Sequence, residues 1–286
     1  MSSVKYAAPA TVEGACSLLA EHGKDATVLS GGQSLIPHLR QRDLPYDVLV
    51  DINDIDGLSH VERDTEQLRI GCLARHVDVA TNEAISEAIP ALSKVAESIG
   101  DVQVRNRGTF CGSLAEADPA GDPPTAVTLL DPEVAVTGVD GERVLDGASF
   151  VTAPHETALR ENEIVTELRF QIPADTVGIA YEKWTPSEVA WSIASVGARV
   201  EVVEGRVSAA RLVTGALEAK PREISTAADI LVGNEPTDDV LTDAAETLGE
   251  SVSPATDFEG NDEYKSELSK TVAKDALTTA VERALH

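Results

Sequence analysis

Two segments rich in glycine and serine, far apart in the sequence, constrain the fold of this chain more than any other feature. They are Ser30-Gly31-Gly32-Gln33-Ser34 and Thr109-Phe110-Cys111-Gly112-Ser113. Glycines allow a backbone to adopt positive φ and to approach a ligand closely. Successive backbone N–H groups in such turns form concavities that bind anions. Two such loops facing each other would suit a ligand with two linked phosphates.

The first segment has the pattern strand, loop, helix. Ala26–Leu29 is strand-like, and Ser34 is a candidate N-cap for a helix at Leu35–Arg42. Pro37 falls in the first turn of that helix, where its missing N–H does little harm. The N-terminus of the helix would add partial positive charge for a phosphate. Neither G-x-G-x-x-G nor GKS/GKT is present, so we expect neither a nicotinamide Rossmann domain nor a P-loop NTPase.

The second segment has two basic neighbours, Arg105 and Arg107, in a chain with only 23 lysines and arginines. They are either solvated surface side chains or part of an anion site. The longer sequence around them decides between these interpretations.

Two stretches resemble a known family. VLSGGQSLIPHLRQR at 28–42 and RNRGTFCGSLAEADPAGDPPTAV at 105–127 are similar to the FAD-binding medium subunit of molybdenum hydroxylases, the flavoproteins of carbon monoxide and xanthine dehydrogenases. That family reads roughly AGGQSL, RNxGTIGGS and ADPxxDxP at these places. The resemblance extends from Tyr6 to the C-terminal segment 264–283.

The resemblance and the apolar pattern together predict an α+β fold. A two-part FAD-binding domain of the PCMH type is expected over 1–175, with subdomains of about 1–55 and 56–175. A C-terminal flavoprotein domain is expected over 178–286, with a three-stranded antiparallel sheet and a helical bundle. The predicted strands are Ile179–Trp184, Ser192–Val203 and Val207–Thr214, and the predicted helices of the chain include Thr11–His22, Ile85–Ile99, Pro221–Leu231, Asp238–Leu248 and Asp262–Leu285.

The resemblance also implies where FAD is held. The backbones of the two loops would hold its pyrophosphate, Asp122 matches a carboxylate that holds the cofactor, Val165 matches an apolar backbone contact, and Lys183 matches a lysine near the flavin. Lys183 would then favour the reduced, anionic flavin. The full predicted set is Leu29, Ser30, Gly31, Gly32, Gln33, Ser34, Leu35, Thr109, Phe110, Cys111, Gly112, Ser113, Asp118, Asp122, Val165 and Lys183.

Histidine in or near these loops carries the flavin covalently in related proteins. Here Gln33 follows Gly32, and His38 lies on the following helix, where it is expected to be a surface or packing residue. FAD is therefore expected to bind without a covalent bond.

Three residues depart from the family pattern. Cys111 replaces a glycine, so its position must tolerate a Cβ atom, and Phe110 replaces a smaller aliphatic residue. Glu116 stands where histidine or asparagine is common and would place an extra negative charge near the cofactor. Trp191, by contrast, is expected to pack in the core.

Charge and cysteine content limit the function classes. The 49 acidic against 23 basic residues give a net charge of −26, which opposes binding to nucleic acid or an anionic membrane and indicates a salt-adapted protein. No apolar run approaches a membrane span and no signal pattern is present, so a cytoplasmic location is expected. Cys16, Cys72 and Cys111 are isolated, so this chain is expected to hold no metal or iron–sulfur cluster.

The implied function is electron transfer. Electrons would pass from a molybdenum cofactor through iron–sulfur clusters to FAD on this chain, and then to a quinone, NAD, oxygen or another acceptor. The molybdenum cofactor and the clusters would belong to partners, a large molybdenum subunit and a small iron–sulfur subunit, in a dimer of heterotrimers. Two alternatives stay open at this point: a stand-alone FAD-dependent reductase or oxidase, and a flavin-free scaffold subunit.

Overall fold

The computed structural model describes residues 4–41 and 46–286 and shows an α+β fold, as predicted. Arg42, the expected last residue of the second helix, lies outside the described residues. The strands are β1 (Lys5–Ala7), β2 (Ala26–Leu29), β3 (Val48–Asp51), β4 (Val61–Arg63), β5 (Gln67–Gly71), β6 (Glu133–Gly138), β7 (Gly141–Asp146), β8 (Val151–Ala153), β9 (Glu156–Thr157), β10 (Ile164–Gln171), β11 (Val177–Trp184), β12 (Ala194–Val203), β13 (Arg206–Gly215) and β14 (Arg222–Glu223). The helices are α1 (Val12–His22), α2 (Leu35–Gln41), α3 (His76–Thr81), α4 (Glu83–Ala88), α5 (Pro90–Glu97), α6 (Val102–Arg107), α7 (Phe110–Glu116), α8 (Asp122–Leu130), α9 (Ser225–Leu231), α10 (Asp238–Ser251) and α11 (Asp262–Leu285).

The N-terminal sheet aims the first glycine loop. Its three strands are parallel and lie in the order β1-β3-β2. Helix α1 is capped by Thr11, whose side chain accepts a hydrogen bond from Gly14 N, and it buries Ala15, Cys16 and Leu19. Leu29 pairs with Asp51, so β2 and β3 end at the same edge of the sheet. The loop that follows β2 therefore starts beside the end of β3.

The second sheet is antiparallel and carries the second segment. Its order is β4-β5-β10-β6-β7, and helices α3 to α8 form the long connection between β5 and β6. One predicted helix, Ile85–Ile99, is divided here into α4 and α5. Pro90 causes the division, because proline lacks an N–H and disfavours the α conformation of the residue before it. Ile89 accordingly has φ −143° and ψ 76°.

The C-terminal part contains the predicted antiparallel sheet β11-β12-β13, extended by the two-residue strand β14. Because Arg222 and Glu223 pair with Thr214 and Val213, the helix expected from Pro221 begins only at Ser225. Helix α11 packs directly on the sheet. A Cβ atom on Gly178 would lie 2.7 Å from Ala284 N, so only glycine allows this approach.

Helix α8 joins the two parts of the chain. Pro123, Pro124 and Thr125 are buried, and the helix packs against β12 and β13. A Cβ atom on Gly197 would lie 2.8 Å from Leu129 Cδ2, and one on Gly215 would overlap Thr125 Oγ1. These close approaches fix α8, which begins at Asp122, against the C-terminal sheet.

None of the helices in the described ranges has the length and apolar content that crossing a bilayer requires.

The excess of acidic residues predicts that the fold is stabilised by salt. The net charge of −26 means that the excess acidic side chains repel one another, which disfavours the compact state. Added ions screen this repulsion. Raising KCl from dilute buffer to molar concentration should stabilise the protein by about 2 kcal/mol, which raises Tm by about 4–8 °C. Thermal denaturation followed by circular dichroism measures this.

Sucrose is the control for the salt experiment, because it stabilises proteins by exclusion from their surface without screening charge. Equal gains in sucrose and in KCl, or a Tm that does not respond to KCl, would contradict salt adaptation.

Candidate cofactor site

The two glycine segments contact each other, although they are distant in sequence. Ser30 Oγ and Thr109 Oγ1 are 3.1 Å apart and share a hydrogen bond. A Cβ atom on Gly31 would lie 2.6 Å from Gly108 Cα, and one on Gly112 would lie 2.8 Å from Ser30 Oγ. The glycines are therefore needed for the close packing of one segment on the other.

The first loop presents a row of unused hydrogen-bond donors. Within the described part of the chain, no acceptor is hydrogen-bonded to the backbone N–H of any residue from 30 to 35; the next amide, Ile36 N, donates to Gly32 O at 3.1 Å. Buried or part-buried N–H groups without partners are rare in folded proteins. Consecutive free N–H groups at a positive-φ glycine, here Gly32 with φ +68°, form an anion-binding concavity.

The sequence suggested that the second segment is a loop. In the structure it is the start of helix α7. Thr109 caps the helix, since its Oγ1 accepts from Gly112 N at 3.1 Å. Over the same described ranges, the N–H groups of Thr109 and Cys111 have no hydrogen-bond acceptor. They add to the donors of the first loop across the contact between the two segments.

An asparagine and an arginine brace the first loop from behind. Asn53 Nδ2 donates to Ser30 O at 2.9 Å, and Arg75 Nη2 donates to Asn53 Oδ1 at 2.6 Å. Arg75 Nη1 also donates to Arg107 O at 2.5 Å, beside the second segment. The sequence analysis missed this brace; the available signal was that both residues closely follow strands, β3 and β5.

Arg105 and Arg107 have different roles. The Arg105 guanidinium donates to Ile99 O at 3.0 Å and Gly100 O at 2.7 Å, so it shapes the chain instead of facing a ligand. Arg107 is exposed and lines a second cavity of about 380 Å³ behind the first loop, together with Leu29 and Arg40.

A cleft of about 590 Å³ opens in front of the two segments, within the range of small-molecule sites. Most of the predicted cofactor-binding residues line it: Ser30, Gly31, Gly32, Gln33, Ser34, Leu35, Thr109, Gly112, Ser113, Asp122 and Lys183. Three histidines line it as well, namely His38, His76 and His155. His38 is exposed, as expected of a surface residue, and it also forms part of the wall of the cleft.

Five predicted residues do not line the cleft, and one of them, Leu29, lines the second cavity instead. Phe110 and Cys111 lie on the inner face of α7 with 0% and 2% exposure, so the extra Cβ of Cys111 points into the core and leaves the loop contact unchanged. Asp118 forms a turn, in which its Oδ1 accepts from Ala120 N at 2.8 Å. Val165 is buried in β10, 5% exposed.

Trp191 is 54% exposed and lines the cleft, so the expectation that it packs in the core is wrong. Strand β12 begins at Ala194, and residues 185–193 form the connection that carries the indole out of the sheet. A tryptophan can lie in the core or in the wall of a ligand cleft, and the sequence alone does not distinguish these two places.

Asp122 is surrounded by donors from the C-terminal part. Tyr181 Oη donates to its Oδ1 at 2.6 Å, Ser192 Oγ donates to the same oxygen at 2.9 Å, and Lys183 Nζ lies 2.7 Å from Oδ2. Lys183 Nζ also donates to Ser98 O at 2.9 Å. Asp122 thus lines the cleft while holding α8 to β11.

His76 supports the second segment from below. Its backbone N–H donates to Gly108 O at 3.0 Å, and a Cβ atom on Gly108 would lie 2.8 Å from the imidazole Cδ2. The ring is 3% exposed and its Nδ1 has no hydrogen-bond partner within the described residues. Burial, together with the charges of Arg105 and Arg75, lowers the pKa of His76 to about 4, so the ring is neutral near pH 7.

Glu116, at the end of α7, reaches the first loop. Ser34 Oγ donates to Glu116 Oε2 at 2.6 Å, so Ser34 uses its side chain for this contact. Burial raises the pKa of the Glu116 carboxyl above its usual range.

The depressed pKa of His76 predicts a loss of stability in acid. The unfolded chain protonates this histidine below about pH 6.5, whereas the folded chain does so only near pH 4. The part of the free energy of unfolding that depends on neutral His76 is fully present above about pH 6.5. It decreases as the pH falls, by about 2–3 kcal/mol at pH 4.5. Urea unfolding of His76→Gln should therefore show a smaller fall in stability between neutral and acidic pH than the wild type.

The matched control for this pH series is His22→Gln, because His22 lies on α1. If His76→Gln and His22→Gln lose the same stability on acidification, the neutral buried state of His76 is refuted.

The ion pair of Asp122 with Lys183 predicts a coupled stability effect. The two side chains are 8% and 12% exposed, so Asp122→Asn leaves a poorly solvated ammonium group and should cost about 3 kcal/mol in the free energy of unfolding. Adding Lys183→Met removes that charge and should restore about 1 kcal/mol or more. A double-mutant cycle in urea measures the coupling; strictly additive losses would show that the pair does not hold the two parts together.

Comparisons with known proteins agree with this site. Residues 2–174 match the family described as FAD binding domain in molybdopterin dehydrogenase, and residues 179–280 match the CO dehydrogenase flavoprotein C-terminal domain. The nicotine 6-hydroxylase medium subunit of Paenarthrobacter nicotinovorans is 29% identical over 280 residues, covering 98% of each chain. The 6-hydroxypseudooxynicotine dehydrogenase complex subunit alpha of the same organism is 30% identical, covering 99% of this chain and 96% of that protein.

The fold agrees equally well. In a solved structure of carbon monoxide dehydrogenase from Hydrogenophaga pseudoflava, which lacks the Mo-pyranopterin moiety of the molybdenum cofactor, one chain superimposes with a TM-score of 0.94 at 30% identity. The match covers 98% of this chain and 97% of that one. The family predicted from the two glycine segments is confirmed: the chain belongs to the FAD-binding subunits of the molybdopterin dehydrogenases, and it is an oxidoreductase subunit.

Proposed function

We propose that this subunit binds FAD non-covalently in the cleft and relays electrons from iron–sulfur clusters on a partner to an external acceptor. The observation that carries the proposal is the cradle of free backbone N–H groups contributed by residues 30–35, Thr109 and Cys111. Free N–H groups from two packed segments are suited to the two linked phosphates of FAD. The volume of the cleft, about 590 Å³, is appropriate for a cofactor.

The two glycine segments would hold the pyrophosphate. Their mutual contact through Gly31, Gly108 and the Ser30–Thr109 hydrogen bond keeps the donors in place before the cofactor arrives. The brace of Asn53 and Arg75 restrains the same loop from the other side. Preorganisation of this kind reduces the ordering cost of binding.

The apolar part of the cleft would take the flavin ring. Ile99, Val104 and Trp191 give it an apolar wall, which suits a flat aromatic system. Lys183 also lines this cleft, but its ammonium group is paired with Asp122 at 2.7 Å. The carboxylate offsets much of the positive charge, so Lys183 would stabilise a reduced, anionic flavin less than the sequence analysis expected.

FAD, when bound, supplies electron transfer in one- and two-electron steps, whereas the protein supplies binding, orientation and electrostatics. The residues around the cleft thus determine where the ring lies and which charges face it. The iron–sulfur clusters and molybdenum cofactor would belong to a small and a large partner subunit, in a dimer of heterotrimers located in the cytoplasm. The names of two relatives support separate subunits, since one is a medium subunit and the other is a subunit of a dehydrogenase complex.

Purification in high salt tests the proposal. We expect flavin absorbance near one FAD per chain, all of it released by acid precipitation, because Gln33 takes the position after the glycines. Release of the flavin by acid excludes a covalent bond to a histidine. This test is needed because His38, His76 and His155 line the cleft. In the isolated complex, iron, acid-labile sulfide and molybdenum should co-purify, and substrate should bleach the flavin. A colourless chain that takes up no FAD would support the scaffold alternative, and a flavoprotein without partners would support the stand-alone enzyme.

Gly31→Ala tests whether the packed segments hold the cofactor. The added Cβ would lie 2.7 Å from Arg107 O and 2.9 Å from Thr109 N, so the segments must separate. We expect FAD affinity to fall at least about tenfold, the equivalent of about 1.4 kcal/mol, measured by quenching of flavin fluorescence. In the complex, this variant should still reduce its iron–sulfur clusters with substrate but lose electron delivery to the acceptor.

Gly205→Ala is the control for Gly31→Ala, because Gly205 lies in the β12–β13 turn and no atom would be within 4 Å of the added Cβ. It carries the backbone cost of a lost positive-φ glycine without touching the cleft. Equal loss of FAD in both variants would contradict the specific role of the packed segments.

A further inference from the structure

Glu116 joins the two segments that face the cofactor cleft. It is the last residue of α7, and its Oε2 accepts a hydrogen bond from Ser34 Oγ at 2.6 Å. The residue lines the cleft itself. A carboxyl group therefore lies beside the N–H cradle of residues 30–35, where two phosphates would bind.

The surroundings of Glu116 do little to stabilise its charge. No lysine or arginine forms an ion pair with it within residues 4–41 and 46–286. The titratable groups that face it are Asp118, His155 and His38, and Ser34 is its hydrogen-bond donor. Burial is the largest influence and raises the pKa, Asp118 raises it further, and Ser34 and the two histidines oppose this.

A bound diphosphate would shift this balance further. Like charges placed close together favour the neutral form of an acid, and burial has already made the ionised form of Glu116 unfavourable. Oε1 has no hydrogen-bond partner in the described residues, so it can take the proton while Oε2 keeps its bond to Ser34. Protonation changes Oε1 from an acceptor into a donor in a cleft that receives a polyanion.

We propose that Glu116 is a cofactor-binding residue that acts as a neutral carboxylic acid, so that binding of FAD is coupled to uptake of one proton. Above the pKa that the acid has in the free protein, the carboxylate takes a proton from solvent as FAD enters. The affinity for FAD then falls by as much as tenfold for each unit of pH. The inference rests on FAD binding in this cleft and is independent of where the electrons go.

Titration calorimetry of the cofactor-free subunit with FAD tests the coupling. The variants are Glu116→Gln, which is isosteric and cannot ionise, and Glu21→Gln, an exposed residue of α1 that serves as the matched control. Measurements between about pH 6 and 9, in two buffers of different ionisation enthalpy, give the number of protons taken up. Wild type and Glu21→Gln should take up more protons on binding than Glu116→Gln does. They should also lose more affinity than Glu116→Gln as the pH rises.

The histidines provide an internal check, because His38 and His155 are present in every variant. Any effect that these two histidines have on FAD binding is therefore common to all three proteins. The difference between wild type and Glu116→Gln therefore isolates the carboxyl group.

Four outcomes overturn the inference. Equal pH dependence in wild type and Glu116→Gln would assign the titration to another group. If Glu116→Gln fails to fold, as judged by circular dichroism, the wild type decides alone, and FAD binding without proton uptake refutes the proposal. A wild type that binds no FAD at any pH overturns both this inference and the proposed function, whereas tight binding that is independent of pH overturns only the inference.

Discussion

The arrangement of the cleft depends on one buried carboxylate. Asp122 begins α8 in the FAD-binding part, and its oxygens are bonded to Tyr181, Ser192 and Lys183 of the C-terminal part. A charge with 8% of its side chain exposed needs such partners, because an unpaired ion in that position would be strongly unfavourable. The close contacts of Gly197 and Gly215 with α8 fix the same helix sterically. Electrostatics and packing therefore act together to set the width of the cleft.

The local signals in the sequence predicted the first loop and its strand well. Ala26–Leu29 is a strand with the expected bounds, and α1 ends at His22, where it is capped by Gly23 with a φ of +51°. These features depend on neighbours in sequence, such as a cap, a glycine or an apolar period. The secondary structure of Thr109–Ser113 was harder to predict. A helix start that contains a glycine resembles a loop in the sequence until Thr109 is recognised as the cap of the helix.

The residues missed by the sequence analysis act through tertiary contacts. Asn53, which follows β3, and Arg75, which follows β5, brace Ser30 only when the two sheets are assembled. His76 supports Gly108 through a contact within the connection between β5 and β6, between residues that are distant in sequence. The prediction that Trp191 packs in the core was wrong for a different reason. An apolar side chain is expected to be buried, but the apolar wall of the cleft holds Trp191 while leaving it exposed. Among the residues assigned by resemblance, Phe110, Cys111 and Val165 have buried side chains, so any contact that they make with FAD would come from the backbone.

The free N–H groups of residues 30–35 also bear on how this subunit is made in the cell. Donors that find no acceptor in the protein are a local cost that an anion removes, so the loop is the part of the chain that gains most when the cofactor arrives. By this argument, chains that have not yet taken up FAD would open more often at this loop and would be the ones exposed to proteases. Cofactor supply would thereby set the number of subunits that survive to be assembled, and the loop would act as a quality-control point for the complex.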